Sequence, residues 1–151
     1  MTDAASRAAV ERFYQAYDLR DIERLGACLD DDVEWDVFGP VAVMQICGQW
    51  RGKAAVIDRF AQIAQMLEFK RFERAYMLVD NDQSAACGQI SSKHRATGRV
   101  ISHRVAHFVR YRGGKVISFR AVADTLDAAE QFMGHRIDFG ASPGGGDLVT
   151  V

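Results

Sequence analysis

The sequence predicts a single α+β domain, a curved antiparallel or mixed sheet wrapped around N-terminal helices in the order α-β-α-β-β-β-β. Three observations predict it. Apolar residues recur at helical spacing as far as Leu67 and then switch to strict alternation, a change of period from 3.6 to 2. Helical stretches come first and antiparallel strands later, which favours α+β over alternating βαβ units. Finally, His103 to Asp124 sets two alternating runs around Gly113-Gly114, the pattern of a long β-hairpin.

The elements follow in order. Residues 6–17 place Ala9, Val10, Phe13, Ala16 and Tyr17 on one helical face. Asp21 is the expected N-cap of a short helix, residues 22–29. The acids Asp30 to Asp32 are expected to form a surface turn. Residues 33–38 alternate as a strand, with Val33, Trp35 and Val37 on one side and Glu34, Asp36 and Phe38 on the other. Gly39-Pro40 ends it, and residues 41–50 read equally as a second short strand or a flap over a pocket. A third helix spans 53–67, burying Ala55, Val56, Phe60, Ile63 and Ala64. Strands are then expected over 69–79, 84–96, 100–111 and 115–124. A last short helix covers 125–133, capped by Thr125 or Asp127. Residues 1–136 make one domain, and 137–151 a Gly-rich flexible tail.

Four long strands must bury one face, and only the first and third helices are long enough to cover it. A curved sheet wrapped around helices leaves an apolar cavity at its open end. On the hairpin, His103, Val105, His107, Val109 and Tyr111 share a face with Ile117, Phe119, Ala121 and Ala123. A turn centred on residues 112–114 sets His107 opposite Phe119 and His103 opposite Ala123. The apolar face therefore carries two histidines. The other face carries Arg104, Arg110, Arg112, Ser118 and Arg120, which suits water or a partner chain.

Composition narrows the function. The chain has 151 residues, 48% hydrophobic and 26% charged, with a net charge of −1. That balance gives no basic field for nucleic acid or an anionic membrane. No apolar run nears the roughly 20 residues of a membrane span, and the N-terminus lacks a signal-peptide pattern. Cys28, Cys47 and Cys87 are scattered, as expected of free thiols in a reducing cytoplasm. There is no GxSxG elbow, phosphate loop or GxGxxG motif.

Three segments, residues 20–39, 52–60 and 107–124, carry a resemblance to the nuclear transport factor 2-like superfamily, within it to the SnoaL-like and ketosteroid isomerase-like branch. It covers about residues 10–133. The resemblance implies a cone-shaped sheet and a homodimer formed through the outer sheet face. It also implies chemistry at particular positions. Asp36 stands where ketosteroid isomerases carry the aspartate that abstracts a proton beside a carbonyl, a role that burial would favour by raising its pKa. His107 stands where they carry a buried protonated aspartate that donates to the oxyanion. A neutral imidazole N–H can serve there as donor or proton shuttle. The place of their oxyanion-hole tyrosine falls on Phe13. Tyr14 lies about 100° around the helix, and Tyr17 one turn on along the Phe13 face. With two of three positions substituted, steroid isomerisation itself is not expected.

The expectation is an enzyme without metal or cofactor, doing acid–base chemistry on an apolar, carbonyl-bearing small molecule: isomerisation, cyclisation or dehydration. Asp36 is the base and His107 the acid or oxyanion donor. Phe13, Tyr17, Trp50, His103, Phe119, Ala121 and Ala123 line the substrate site. The alternatives are a non-catalytic domain binding a hydrophobic small molecule and a dimeric interaction module. Metal binding is not expected, because His103 and His107 diverge along the strand and no third His or Cys joins them. Asp124 either faces the pocket or caps the last helix. The family's epoxide hydrolases use an Asp–Arg–Asp set whose spacing Arg104, Arg120 and Asp124 do not reproduce.

Overall fold

The computed structural model describes residues 3–140, so most of the Gly-rich tail, residues 141–151, lies outside the described residues. Ten elements follow the chain: α1 (Asp3–Leu19), α2 (Ile22–Cys28), β1 (Leu29–Phe38), β2 (Gly48–Arg51), α3 (Lys53–Met66), β3 (Leu67–Asp80), β4 (Gln83–His94), β5 (Val100–Arg112), β6 (Lys115–Ala123) and α4 (Thr125–Met133). The strands make one six-stranded sheet in the order β2-β1-β6-β5-β4-β3. It is mixed: β1 runs parallel to β6, and every other pair is antiparallel. No helix among the described residues is long and apolar enough to cross a membrane.

Local chemistry sets the element ends. Asp21 caps α2 by accepting from the Arg24 amide at 3.1 Å. Asp124, not Thr125 or Asp127, caps α4, accepting from the Asp127 amide at 3.3 Å. Gly113 and Gly114, at φ 58° and 78°, form a two-residue hairpin turn between Arg112 and Lys115. Gly88 has another reason to be glycine. A Cβ there would lie 1.9 Å from the Glu73 carbonyl oxygen, beside an irregularity in the β3–β4 ladder between Arg74 and Tyr76.

Three local expectations change. Asp30 to Asp32 do not form a turn: β1 begins directly at the end of α2, and Asp30 accepts a 3.1 Å bond from Arg112. Residues 41–47 are a loop, and 48–51 are the edge strand β2. The hairpin register is also offset by two residues. His107 faces Ala121, Val109 faces Phe119 and Val105 faces Ala123. Half of the offset lies in the turn, the two residues Gly113-Gly114, which sets Arg112 opposite Lys115, and half in a bulge on β6 between Val116 and Ser118 that takes up an extra residue.

The core lies between the concave face of the sheet and helices α1 and α3. Phe13 and Leu25 are fully buried, with Val33, Val116 and Phe119 beside them. Trp35 stacks flat on Phe119, with ring centroids 3.7 Å apart and planes 9° from parallel, as neighbours on the parallel β1–β6 pair. Such a pair adds about 0.5–1.5 kcal/mol beyond area burial. A second, smaller cluster of Met44, Cys47, Ala128 and Ala129 joins the 40–47 loop to α4.

Candidate functional site

A cavity of about 350 Å³ opens between the concave face and the helices. The sheet supplies Trp35, Trp50, His103, His107, Phe119, Ala121 and Ala123 to its wall, and α1 supplies Tyr17. Loop residues Met44 and Cys47, with Phe132 of α4, also line it. Every expected lining residue reaches it except Phe13, which is fully buried behind it against Tyr17, Trp35 and Phe119. Phe13 supports the wall without touching the space.

Asp36 does not reach the cavity. Successive side chains on β1 alternate, so Trp35 and Val37 face the cavity and Asp36 faces the convex side. There it is 4% exposed, covered by two arginines: Arg51 Nη1 donates to Oδ1 at 2.7 Å, and Arg120 Nε lies 3.8 Å from Oδ2. Arg120 is its register partner on β6. The expected general base is a structural carboxylate on the wrong face for proton abstraction from a cavity-bound molecule.

His107 does reach the cavity and is 1% exposed. Its Nδ1 lies 3.2 Å from the Tyr14 hydroxyl. Burial raises the Tyr14 phenol well above its ordinary value, so it stays protonated. A protonated phenol is matched by a ring nitrogen that accepts, the arrangement in which Tyr14 donates to Nδ1 and the ring proton sits on Nε2. The ring is neutral: burial, helped by the charges of Arg20 and Arg74, pushes the His107 pKa down to about 3. Tyr14 and not Tyr17 makes this bond. The buried face of α1 is broad enough to take in Tyr14, about 100° from Phe13 and 3% exposed, while Glu11, Arg12, Gln15 and Leu19 on the opposite side are exposed. Tyr17 instead meets the His107 ring edge-on, with centroids 5.4 Å apart.

His103 lies four residues along the same strand, about 13 Å from His107 at the usual rise. It is 6% exposed, lines the cavity, and its Nδ1 has no hydrogen-bond partner. Burial holds its pKa below the ordinary value against the opposing charges of Asp127 and Asp124. It is therefore a neutral imidazole with an unused nitrogen. Asp124 itself caps α4 and does not line the cavity. Among the described residues no three His, Cys, Asp or Glu side chains are grouped to hold a metal.

Two arginines escape the sequence reading. Arg20 and Arg59 both line the cavity, and each keeps a buried nitrogen without a partner, Nη1 and Nε respectively. Arg20 closes α1 in the left-handed region at φ 51°, with its amide bonded to Tyr17 O and the Asp21 amide to Ala16 O. Glycine usually takes that position, and a side chain there costs roughly 1–2 kcal/mol. The signal in the sequence is a helix end, Leu19-Arg20-Asp21, that lacks the glycine its geometry asks for.

The SnoaL-like domain model matches residues 10–119. Solved structures agree. A protein from Rhodopseudomonas palustris, classed provisionally as an isomerase, is 31% identical, superposes with a TM-score of 0.77, and matches over 84% of this chain and 97% of its own. An NTF2-like protein from Burkholderia xenovorans is 23% identical, with a TM-score of 0.76 over 87% of this chain and 98% of its own. An epoxide hydrolase of the LEH-like kind from M. tuberculosis shares the fold at 15% identity, with a TM-score of 0.72 over 89% and 93%. No functionally curated protein matches.

Proposed function

Because the chain belongs to the SnoaL-like domain family, we propose that it is a small enzyme moving protons on an apolar, carbonyl-bearing molecule held in the cavity, as in isomerisation, cyclisation or dehydration, without a cofactor. One observation carries this reading: His107 lines the cavity with its Nδ1 held by the Tyr14 hydroxyl, and a phenol that donates there leaves the proton on Nε2 for a ligand oxygen. A preorganised N–H in a dry cavity stabilises a developing enolate more than the ground-state carbonyl. With Asp36 turned away, the base is His103, neutral and with a free ring nitrogen. Both side chains line the one cavity from the concave face, so the α-carbon deprotonated by His103 lies directly beside the carbonyl held by His107.

The test uses 2-tetralone, an apolar ketone with acidic α-protons, in D2O. The wild type should accelerate α-proton exchange, seen by NMR, and both His103→Ala and His107→Ala should lose the acceleration. Saturable binding with no acceleration would instead establish the non-catalytic reading, which the outward position of Asp36 favours.

The same proposal includes a homodimer in a reducing cytoplasm, where three free cysteines are at home. Leu78, Ala85, Phe108 and Arg120 are successive register partners across the convex face, with Tyr76, Cys87, Ala106 and Val122 as the adjacent row. Tyr76, Leu78, Phe108 and Val122 are exposed there. Sedimentation should give a dimer for the wild type and a monomer for Phe108→Glu.

A further inference from the structure

We propose that the natural ligand carries an anionic group, a carboxylate on an apolar ring system, and that Arg20 is the seat of that group. This deepens the function proposed above and rests on it, since the cavity must first hold a small molecule.

The argument starts from where the Arg20 side chain goes. A helix-terminal arginine would ordinarily extend into water. This one turns inward, and its guanidinium carbon lies 4.1 Å from the Tyr17 ring centroid and 3.8 Å from that of Phe69. Phe60 adds a third ring at 5.4 Å. Aromatic faces stabilise the cation but accept no N–H in the plane of the guanidinium. In that plane, Nη1 is buried and without a partner. Planar guanidinium edges match carboxylates, which take two parallel N–H bonds.

Among the described residues no carboxylate pairs with Arg20. Two acids line the cavity, Asp18 and Glu68. Asp18 is taken up by Arg74, with bonds of 2.7 and 2.5 Å to its two oxygens. Glu68 is paired with Lys70. Arg20 thus has no carboxylate partner among the described residues, and it sits on the wall of a largely apolar cavity in a backbone conformation that an arginine adopts only at a cost. Its charge also bears on His107, so a bound anion lies within the field of the neutral imidazole. At a second wall position, Arg59 is less committed to the space. Its Nη1 donates to Gln62 at 2.9 Å, and its guanidinium lies over Trp50.

The experiment compares 2-naphthoate with its neutral isostere 2-naphthamide by calorimetry on the full chain at constant ionic strength. The wild type should bind the carboxylate at least tenfold more tightly than the amide. Arg20→Gly, which takes the left-handed conformation without strain, should bind the two equally and keep the amide within threefold of wild type. Arg20→Gln, which keeps the residue over the rings without its charge, should behave as the glycine variant does. Arg59→Met should leave the preference intact. Equal binding by the wild type, or a preference that survives both Arg20 variants, overturns the proposal while leaving the cavity reading in place. A preference lost only in Arg59→Met overturns it too, because the seat is then elsewhere. Failure of both ligands to bind the wild type takes down this proposal and the cavity reading together.

Discussion

Asp36 Oδ1 accepts a 2.7 Å hydrogen bond from Arg51 Nη1 on the face of β1 that turns away from the cavity. One residue either side, Trp35 and Val37 face in. The carboxylate joins β1 to its two neighbours, Arg51 on β2 and Arg120 on β6.

Asp36→Asn should therefore leave ketone α-proton exchange within about twofold of wild type. Its effect should fall on stability, about 1.5–3 kcal/mol in urea unfolding, the usual range for a hydrogen bond to a charged group. A loss of exchange activity of a hundredfold or more would return Asp36 to the chemistry.

Tyr14→Phe should leave His107 Nδ1 buried without a donor, costing about 1–3 kcal/mol. It should also release the tautomer. Nitrogen-15 NMR should show His107 protonated on Nε2 in the wild type and as a mixture of tautomers in the variant. A wild type protonated on Nδ1 would remove the oxyanion donor from the mechanism.

The pH dependence follows from His107, whose folded pKa of about 3 lies below its unfolded value. Between these values the unfolded chain binds a proton that the folded chain refuses, so stability is full above about pH 6.5 and declines as pH falls. From pH 7 to 5 this one group should lower the unfolding free energy by about 2 kcal/mol. His103, shifted in the same direction, adds to the decline. Urea titrations at both pH values should show a smaller difference in His107→Gln. An equal difference would mean that the ring charges in the folded state.

Gly88→Ala should cost about 3 kcal/mol, because the new methyl meets a backbone carbonyl, which cannot swing aside as a side chain would. Thermal unfolding measures it. A change under about 0.5 kcal/mol would show that the β3–β4 pairing shifts freely.

Much of this architecture is legible in the residues. The change of period separates helices from strands, and Gly113-Gly114 marks the hairpin. The caps and the elements after Gly52 fall within a few residues of their expected bounds. The orientation of Asp36 was legible too: alternation from Trp35 sets it on the opposite face, and the family likeness pointed the other way. Half of the hairpin offset was legible, since Gly113-Gly114 is a two-residue turn; the other half was not, since a bulge leaves no mark in an alternating run of Val, Ile and Ser. Nor was the role of Tyr14, because the phase of a helix shows which face is apolar but not how far the fold encloses it. Arg20 reads as an ordinary surface charge until the fold shows that no acid among the described residues comes to meet it.

The small cluster of Met44, Cys47, Ala128 and Ala129 has a kinetic consequence. It joins the loop that lines the cavity to α4 through a core separate from the one that holds the sheet. Partial opening there exposes little apolar surface, so it occurs at a lower free energy than global unfolding. Ligand exchange can then proceed through excursions that leave β5 and β6 intact. The rate at which a molecule enters and leaves would be governed by two short segments more than 80 residues apart in the chain, while its affinity is governed by the wall behind them.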